Sequence, residues 1–148
     1  MISRFERFSF AIFEISRYWH KITSDEMAKY GLKGPHSVYL ITLYRHPDGI
    51  TAAKLSELCG KDKSDVSRMM SIMEEKGLVS RNEVNGSNYR ALLKLTEKGI
   101  TAAEFVAERA AKAVELAGGW MSDETRASFY NTLEQIANHM QTISEEGI

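Results

Sequence analysis

Between Thr51 and Gly77 the sequence carries start and stop signals for two short helices, and this arrangement restricts the fold more than any other feature. Thr51 can cap the first helix, which holds Leu55 and Leu58 and reaches Gly60. Asp62 can cap the second, with Asp65 three residues on, where a capping box normally has Glu or Gln. Val66, Met69, Met70 and Met73 recur at helical spacing, and Gly77 is placed to stop the helix. Two helices joined by a turn of about four residues have the spacing of a helix-turn-helix.

After Gly77 the pattern changes. Leu78–Val84 and Tyr89–Leu95 read as strands, and the Asn85-Gly86-Ser87-Asn88 run between them is a strong hairpin signal. A lone hairpin is marginal in water and must lean on the helices. Upstream, Phe5, Phe8, Ile12, Ile15, Trp19 and Ile22 step by three and four along an amphipathic helix. Gly31 and Gly34-Pro35 break the chain, and a helix with Val38, Tyr39, Leu40, Ile41 and Leu43 inward runs to the His46-Pro47-Asp48-Gly49 turn. Downstream, Thr96 caps a long helix holding Phe105, Val106, Ala110, Val114 and Leu116. Ser122 caps a last one with Phe129, Leu133, Ile136, Met140 and Ile143 in a second seam. The expected fold is mainly α: a winged helix-turn-helix with a two-stranded β-hairpin wing, flanked by N- and C-terminal dimerisation helices. Residues 1–30 are read as the N-terminal dimerisation helix, 35–99 as the winged lobe and 100–148 as the C-terminal dimerisation helices. Both end seams carry more large side chains than one small lobe needs, and an exposed apolar stripe usually marks an interface.

A chain of 148 residues can bury a sizeable core in one domain. Glu6 and Glu14 interrupt the early apolar stretch, so no signal peptide is read, and no run of eighteen apolar residues spans a membrane. The single cysteine, Cys59, cannot form an internal disulfide, which fits a reducing cytoplasm. The net charge of −1 is unevenly spread: residues 101–148 carry three basic and eight acidic side chains, leaving the rest weakly positive. Local charge, not the total, decides affinity for nucleic acid.

The central segment resembles the MarR family of bacterial and archaeal regulators. The matching pieces are Leu55-Ser56-Glu57-Leu58, Asp62-Lys63-Ser64, Val66-Ser67-Arg68, Glu74-Glu75-Lys76-Gly77-Leu78-Val79 and Leu95-Thr96-Glu97-Lys98-Gly99. The resemblance implies a triangular homodimer whose terminal helices interleave as the dimer body. Each chain would present one winged lobe to a half-site of a pseudo-palindromic operator. It also implies loss of DNA affinity when a small aromatic ligand, an oxidant or a metal acts. The implied function is a sequence-specific transcriptional regulator, acting as a repressor and relieved by a small-molecule effector, with double-stranded DNA and a second copy of itself as partners.

On the second helix of the central pair, Ser64, Ser67, Arg68, Ser71 and Glu75 share the face opposite the methionines. Short hydroxyls permit close approach to base edges, and Arg can meet guanine O6 and N7 with two hydrogen bonds. Asp65 departs from the family pattern: it could accept from cytosine N4, but complementing the helix dipole is the better reading. Lys54, Lys61 and Lys63 are expected at phosphates. Family members often carry Asp-x-Arg at the wing tip, and those places hold Ser87 and Tyr89 here. Arg90 falls one residue later, on the opposite face by simple alternation, so Arg81, Asn88 and Arg90 are the wing candidates. The resemblance places effectors where Trp19, His20, His36 and Tyr39 could contribute. The dimer candidates are Phe5, Phe8, Ile12, Ile15, Phe129, Leu133, Ile136, Met140 and Ile143.

Oxidation-sensing members carry their cysteine near the N-terminus, where this chain has Ile12, Phe13 and Ile15, so Cys59 is read as a small buried residue. The four histidines lack paired metal spacing, the methionines read as core, and no cofactor or metal is expected. Enzyme motifs are missing: there is no phosphate loop, nucleophile elbow or Cys pair. The alternative is a winged-helix module for ligand sensing or protein contact without sequence-specific DNA reading, kept open by the nearly neutral wing and by Asp65.

Overall fold

The computed structural model describes residues 2–84 and 87–148, with side chains outside 84–89. The elements are α1 (Arg4–Ala28), a 3-10 turn (Gly34–His36), α2 (Ser37–Tyr44), α3 (Ala52–Cys59), α4 (Lys63–Glu75), β1 (Val79–Val84), β2 (Ser87–Leu95), α5 (Glu97–Gly118) and α6 (Asp123–Glu146). This is the expected mainly helical winged helix-turn-helix. The turn residues Asn85 and Gly86 lie outside the described residues. Among the described residues, no helix is long and apolar enough to cross a membrane.

The chain forms two compact units, Met1–Ala111 and Lys112–Ile148. In the first, α2, α3 and α4 pack on one another and on the hairpin. Their shared core contains Tyr39, Leu40, Leu43, Leu55, Val66, Met69, Met70, Met73, Leu78 and Leu93, joined by Met27 of α1 and Ala102, Ala103 and Val106 of α5. The four inward residues of α4 are all buried, as their helical spacing requires. Leu58 differs from Leu55 in being exposed, because α3 turns only one face to the core. Caps form where expected: the Lys54 N–H donates to Thr51 Oγ1 at 3.2 Å, and the Asp65 N–H to Asp62 Oδ1 at 2.7 Å. Gly60 ends α3 in the left-handed conformation (φ 60°), which glycine adopts without a Cβ penalty.

The wing is an antiparallel pair in which Val79 faces Leu95, Ser80 faces Lys94, Arg81 faces Leu93 and Asn82 faces Leu92. The register then slips, so that Val84 faces Ser87. Ile50 bridges to Leu93 on the other edge of β2. The hairpin root is thus tied into the lobe on both sides. Thr96 joins wing to α5, its hydroxyl donating to the Gly77 carbonyl at 2.6 Å and accepting from the Gly99 N–H at 3.1 Å. Arg109 of α5 ties back to α1, donating from Nε to the Ile22 carbonyl at 2.9 Å and from Nη2 to Asp25 at 3.1 Å.

The second unit holds the end of α5 and all of α6. Ser122 caps α6 as its sequence position implies, accepting from the Thr125 N–H at 3.1 Å. None of the 24 residues of α6 is buried.

Candidate nucleic-acid interface

Helix α4 supplies the candidate reading surface. Its buried methionine face fixes its orientation in the lobe, and Ser64, Ser67, Arg68 and Ser71 stand on the exposed face. Lys63 opens the same helix, exposed, while Lys61 in the preceding turn is partly buried. Lys54 lies on the exposed side of α3, where Glu57 approaches its ammonium at 3.4 Å. An ion pair this exposed holds its partners weakly, so the lysine is available to an anion.

Asp65 is not a solitary charge at a helix start. Its Oδ2 accepts from the hydroxyl of Tyr39, a fully buried ring on α2, and its Oδ1 accepts from Arg68 Nη2 at 2.6 Å. The Tyr39 hydrogen bond, then Arg68, hold the Asp65 carboxyl below the usual carboxylate range. Burial first, then the bond to Asp65, raises the Tyr39 phenol above its ordinary pKa, so it remains a donor. His36 stacks on Tyr39 with ring centroids 6.3 Å apart. Burial lowers the His36 pKa, against the opposing pull of Asp65. Two groups of candidates assigned separately from sequence, His36 with Tyr39 and Asp65 with Arg68, are therefore one connected cluster.

The other effector candidates join it less directly. His20 packs its backbone carbonyl against Gly34, at the start of the turn that carries His36, and Trp19 is exposed on α1. Cys59 is partly buried at the end of α3, its Sγ 3.4 Å from Thr42 Oγ1, and burial raises its thiol pKa. A raised thiol pKa means little thiolate, which suits packing rather than reactivity.

On the wing, Arg81 shares a face with buried Leu93 and turns toward α4, where Glu74 lies 3.5 Å from its Nε. Arg90 is exposed with φ 66°, the one non-glycine residue in the left-handed region among those described. It falls within the slipped register, so strict alternation does not decide which way it faces. Arg81 and Arg90 border a cavity of about 420 Å³ against Thr51 and Ala52 at the start of α3. The side chain of Asn88, the remaining wing candidate, lies outside the described residues.

The dimer candidates are placed in two sets. Phe5, Phe8, Ile12 and Ile15 are exposed on α1, with Phe5 at 76%. Phe129, Leu133, Met140 and Ile143 are exposed on α6, and Ile136 is half-buried.

A family model described as MarR family matches residues 30–87, from the end of the α1 connection through β1. The fold agrees over nearly the whole chain with a MarR transcriptional regulator from Methanosarcina mazei Go1: TM-score 0.83, 25% identity, 93% of this chain and 99% of that one covered. Residues 30–87 match the MarR family, and nearly the whole chain has the fold of a MarR transcriptional regulator.

Two other structures share its fold. A MarR family transcriptional regulator described as putative, from Listeria monocytogenes and complexed with 26mer DNA, is 19% identical (TM-score 0.79, 93% of each chain covered). CouR from Rhodococcus jostii RHA1, bound to p-coumaroyl-CoA, is 20% identical (TM-score 0.70, 88% of this chain and 91% of that one covered). Comparison with the curated proteins found no match. The matched region contains α2, α3, α4 and β1, hence the whole Tyr39–Asp65–Arg68 cluster.

Proposed function

We propose that this protein is a sequence-specific transcriptional regulator of the MarR family that binds double-stranded DNA as a homodimer on a pseudo-palindromic operator. The observation that carries this reading is the division of α4: one face locked in the core by Val66, Met69, Met70 and Met73, the other presenting three serines and Arg68 to solvent. A helix so held can enter a major groove without reorganising, and its short hydroxyls let the backbone approach the bases. Lys54, Lys61 and Lys63 meet phosphates beside it, and Arg90 of the wing reaches the flanking groove.

The exposed apolar rows of α1 and α6 support the dimer. Residues 1–30 and 100–148 supply its dimerisation helices and 35–99 its winged lobe, and a twofold pair of lobes matches an inverted repeat. Repression follows where the operator overlaps a promoter. A small aromatic effector relieves it, with Trp19, His20, His36 and Tyr39 as the contact candidates. The protein works in the cytoplasm, where its DNA is.

Selection of duplexes from a randomised DNA pool, with wild type and Arg68→Ala, tests the proposal. Enrichment of an inverted repeat by wild type and its loss in Arg68→Ala supports it. Absence of enrichment, with only weak binding at low salt, overturns it in favour of a protein-contact or sensing module.

A further inference from the structure

We infer that Tyr39 and Asp65 are positioning residues for Arg68, so that a buried phenol outside the reading helix sets how well that helix discriminates bases. The inference rests on the DNA-reading proposal and names a determinant of its specificity.

An Asp–Arg pair three residues apart on a helix surface is ordinarily weak, because both side chains are mobile and water competes for them. Here one partner is not mobile. The Asp65 side chain is only 21% exposed and one of its oxygens is taken by Tyr39, whose ring on α2 is fully buried. Only the other oxygen faces Arg68, whose side chain is 67% exposed. The carboxylate therefore acts as a fixed post that holds one edge of a solvent-facing guanidinium. Arg has five N–H donors in a rigid plane, so holding one edge leaves the other free and oriented for a bidentate contact. Holding the side chain beforehand also reduces the rotamer entropy lost on binding. The same pairing explains how a carboxylate is tolerated on a surface that meets phosphates: its charge is matched by Arg68.

The test compares Tyr39→Phe, Asp65→Asn and Arg68→Ala, alone and combined, on the selected duplex and on duplexes altered at single bases. Tyr39→Phe keeps the ring and its packing, and the carboxylate it releases retains access to water, so the fold is kept. The expected result is that Tyr39→Phe loses discrimination at the base read by Arg68 about tenfold, within the range one bidentate contact supplies. Its affinity for random DNA stays at the wild-type level. Asp65→Asn, having lost a negative charge, binds random DNA more tightly yet discriminates less. In the Arg68→Ala background neither change further alters discrimination, because the residue they position is gone, while the charge effect of Asp65→Asn on random DNA remains.

Full discrimination in Tyr39→Phe, or an effect on discrimination that persists without Arg68, overturns the inference while leaving DNA reading intact. If Arg68→Ala itself discriminates like wild type, the reading role of Arg68 falls, and the inference with it. A second readout needs no DNA: the guanidinium nitrogen resonances of Arg68 are expected to show hindered rotation in wild type and free rotation in Tyr39→Phe. Identical resonances in the two proteins overturn the positioning role.

Discussion

Ile50 and Leu93 exchange a pair of backbone hydrogen bonds, the Ile50 N–H donating to the Leu93 carbonyl at 3.1 Å and the Leu93 N–H to the Ile50 carbonyl at 2.8 Å. Leu93 also faces Arg81 across the hairpin, so this one residue joins the wing to the segment that enters α3. A two-stranded hairpin that would be marginal alone gains a second line of bonds at its root. Its side chain, 1% exposed, then anchors it in the core.

Leu93→Ala should therefore act on the whole lobe. A buried Leu→Ala change costs about 2–4 kcal/mol through lost burial and the cavity left behind. Urea unfolding of wild type and variant measures it. A cost below about 1 kcal/mol would mean that the hairpin root is not part of the core.

Gly34 approaches α1 more closely than any side chain would allow. A Cβ built on it falls 2.2 Å from the His20 carbonyl oxygen, a backbone atom that cannot swing away. Gly34→Ala is expected to lower stability by about 2 kcal/mol or more, since overpacking forces backbone shifts. A thermal midpoint equal to wild type would show that the turn before α2 can move off α1 freely.

His36 gives the protein a pH dependence of predictable sign. Burial, the largest cause, lowers its pKa from 6.5, with Lys61, Arg68 and Lys33 adding to the lowering and Asp65 opposing it. The unfolded chain binds this proton at a higher pH than the folded chain does, so stability is full above the unfolded value. It falls as the pH drops through 6.5, until the folded state is also protonated. Asp65 titrates lower still and leaves this window untouched. Thermal melts between pH 7.5 and 5.5 should show a smaller loss in His36→Gln than in wild type, and parallel losses would contradict the assignment.

The α1 row gives a test of the dimer that spares the fold. Ile12 and Ile15 are exposed in the single chain, and α1 is buried only at Thr23, Glu26 and Met27. Ile12→Glu with Ile15→Glu should leave the helical content unchanged and convert a dimer to a monomer in sedimentation equilibrium. A variant that sediments like wild type would remove α1 from the interface.

The legible and illegible parts of this chain differ in the range of the interaction involved. Helix α4 could be read because Val66, Met69, Met70 and Met73 repeat at one period, and Asp62 lies one turn from the N–H it caps. Both signals are local. The Tyr39–Asp65 contact joins residues 26 apart in sequence, and no periodicity links them. The dipole reading of Asp65 thus captured its place at a helix start but missed its partners. The sign of Arg81 was visible, whereas its approach to Glu74 depends on how the hairpin folds back on α4. Counting alternate faces from Thr96 does not decide where Arg90 points, because the register slip that carries its left-handed backbone is formed by strand pairing. Leu58 shows the complementary limit: an apolar residue on a short helix need not be inward, and Leu55 is the one buried residue of α3.

The central claim is that the exposed serine and arginine face of α4 reads bases. Its most direct measurement is a fluorescence-anisotropy titration of wild type and Arg68→Ala on the selected inverted repeat and on a scrambled duplex, at one fixed salt concentration. Wild type is expected to prefer the repeat and Arg68→Ala to lose about 1–3 kcal/mol of that preference per contact, with little change on the scrambled duplex beyond the lost charge. Equal preference in the two proteins, or equal binding of both duplexes by wild type, would contradict it.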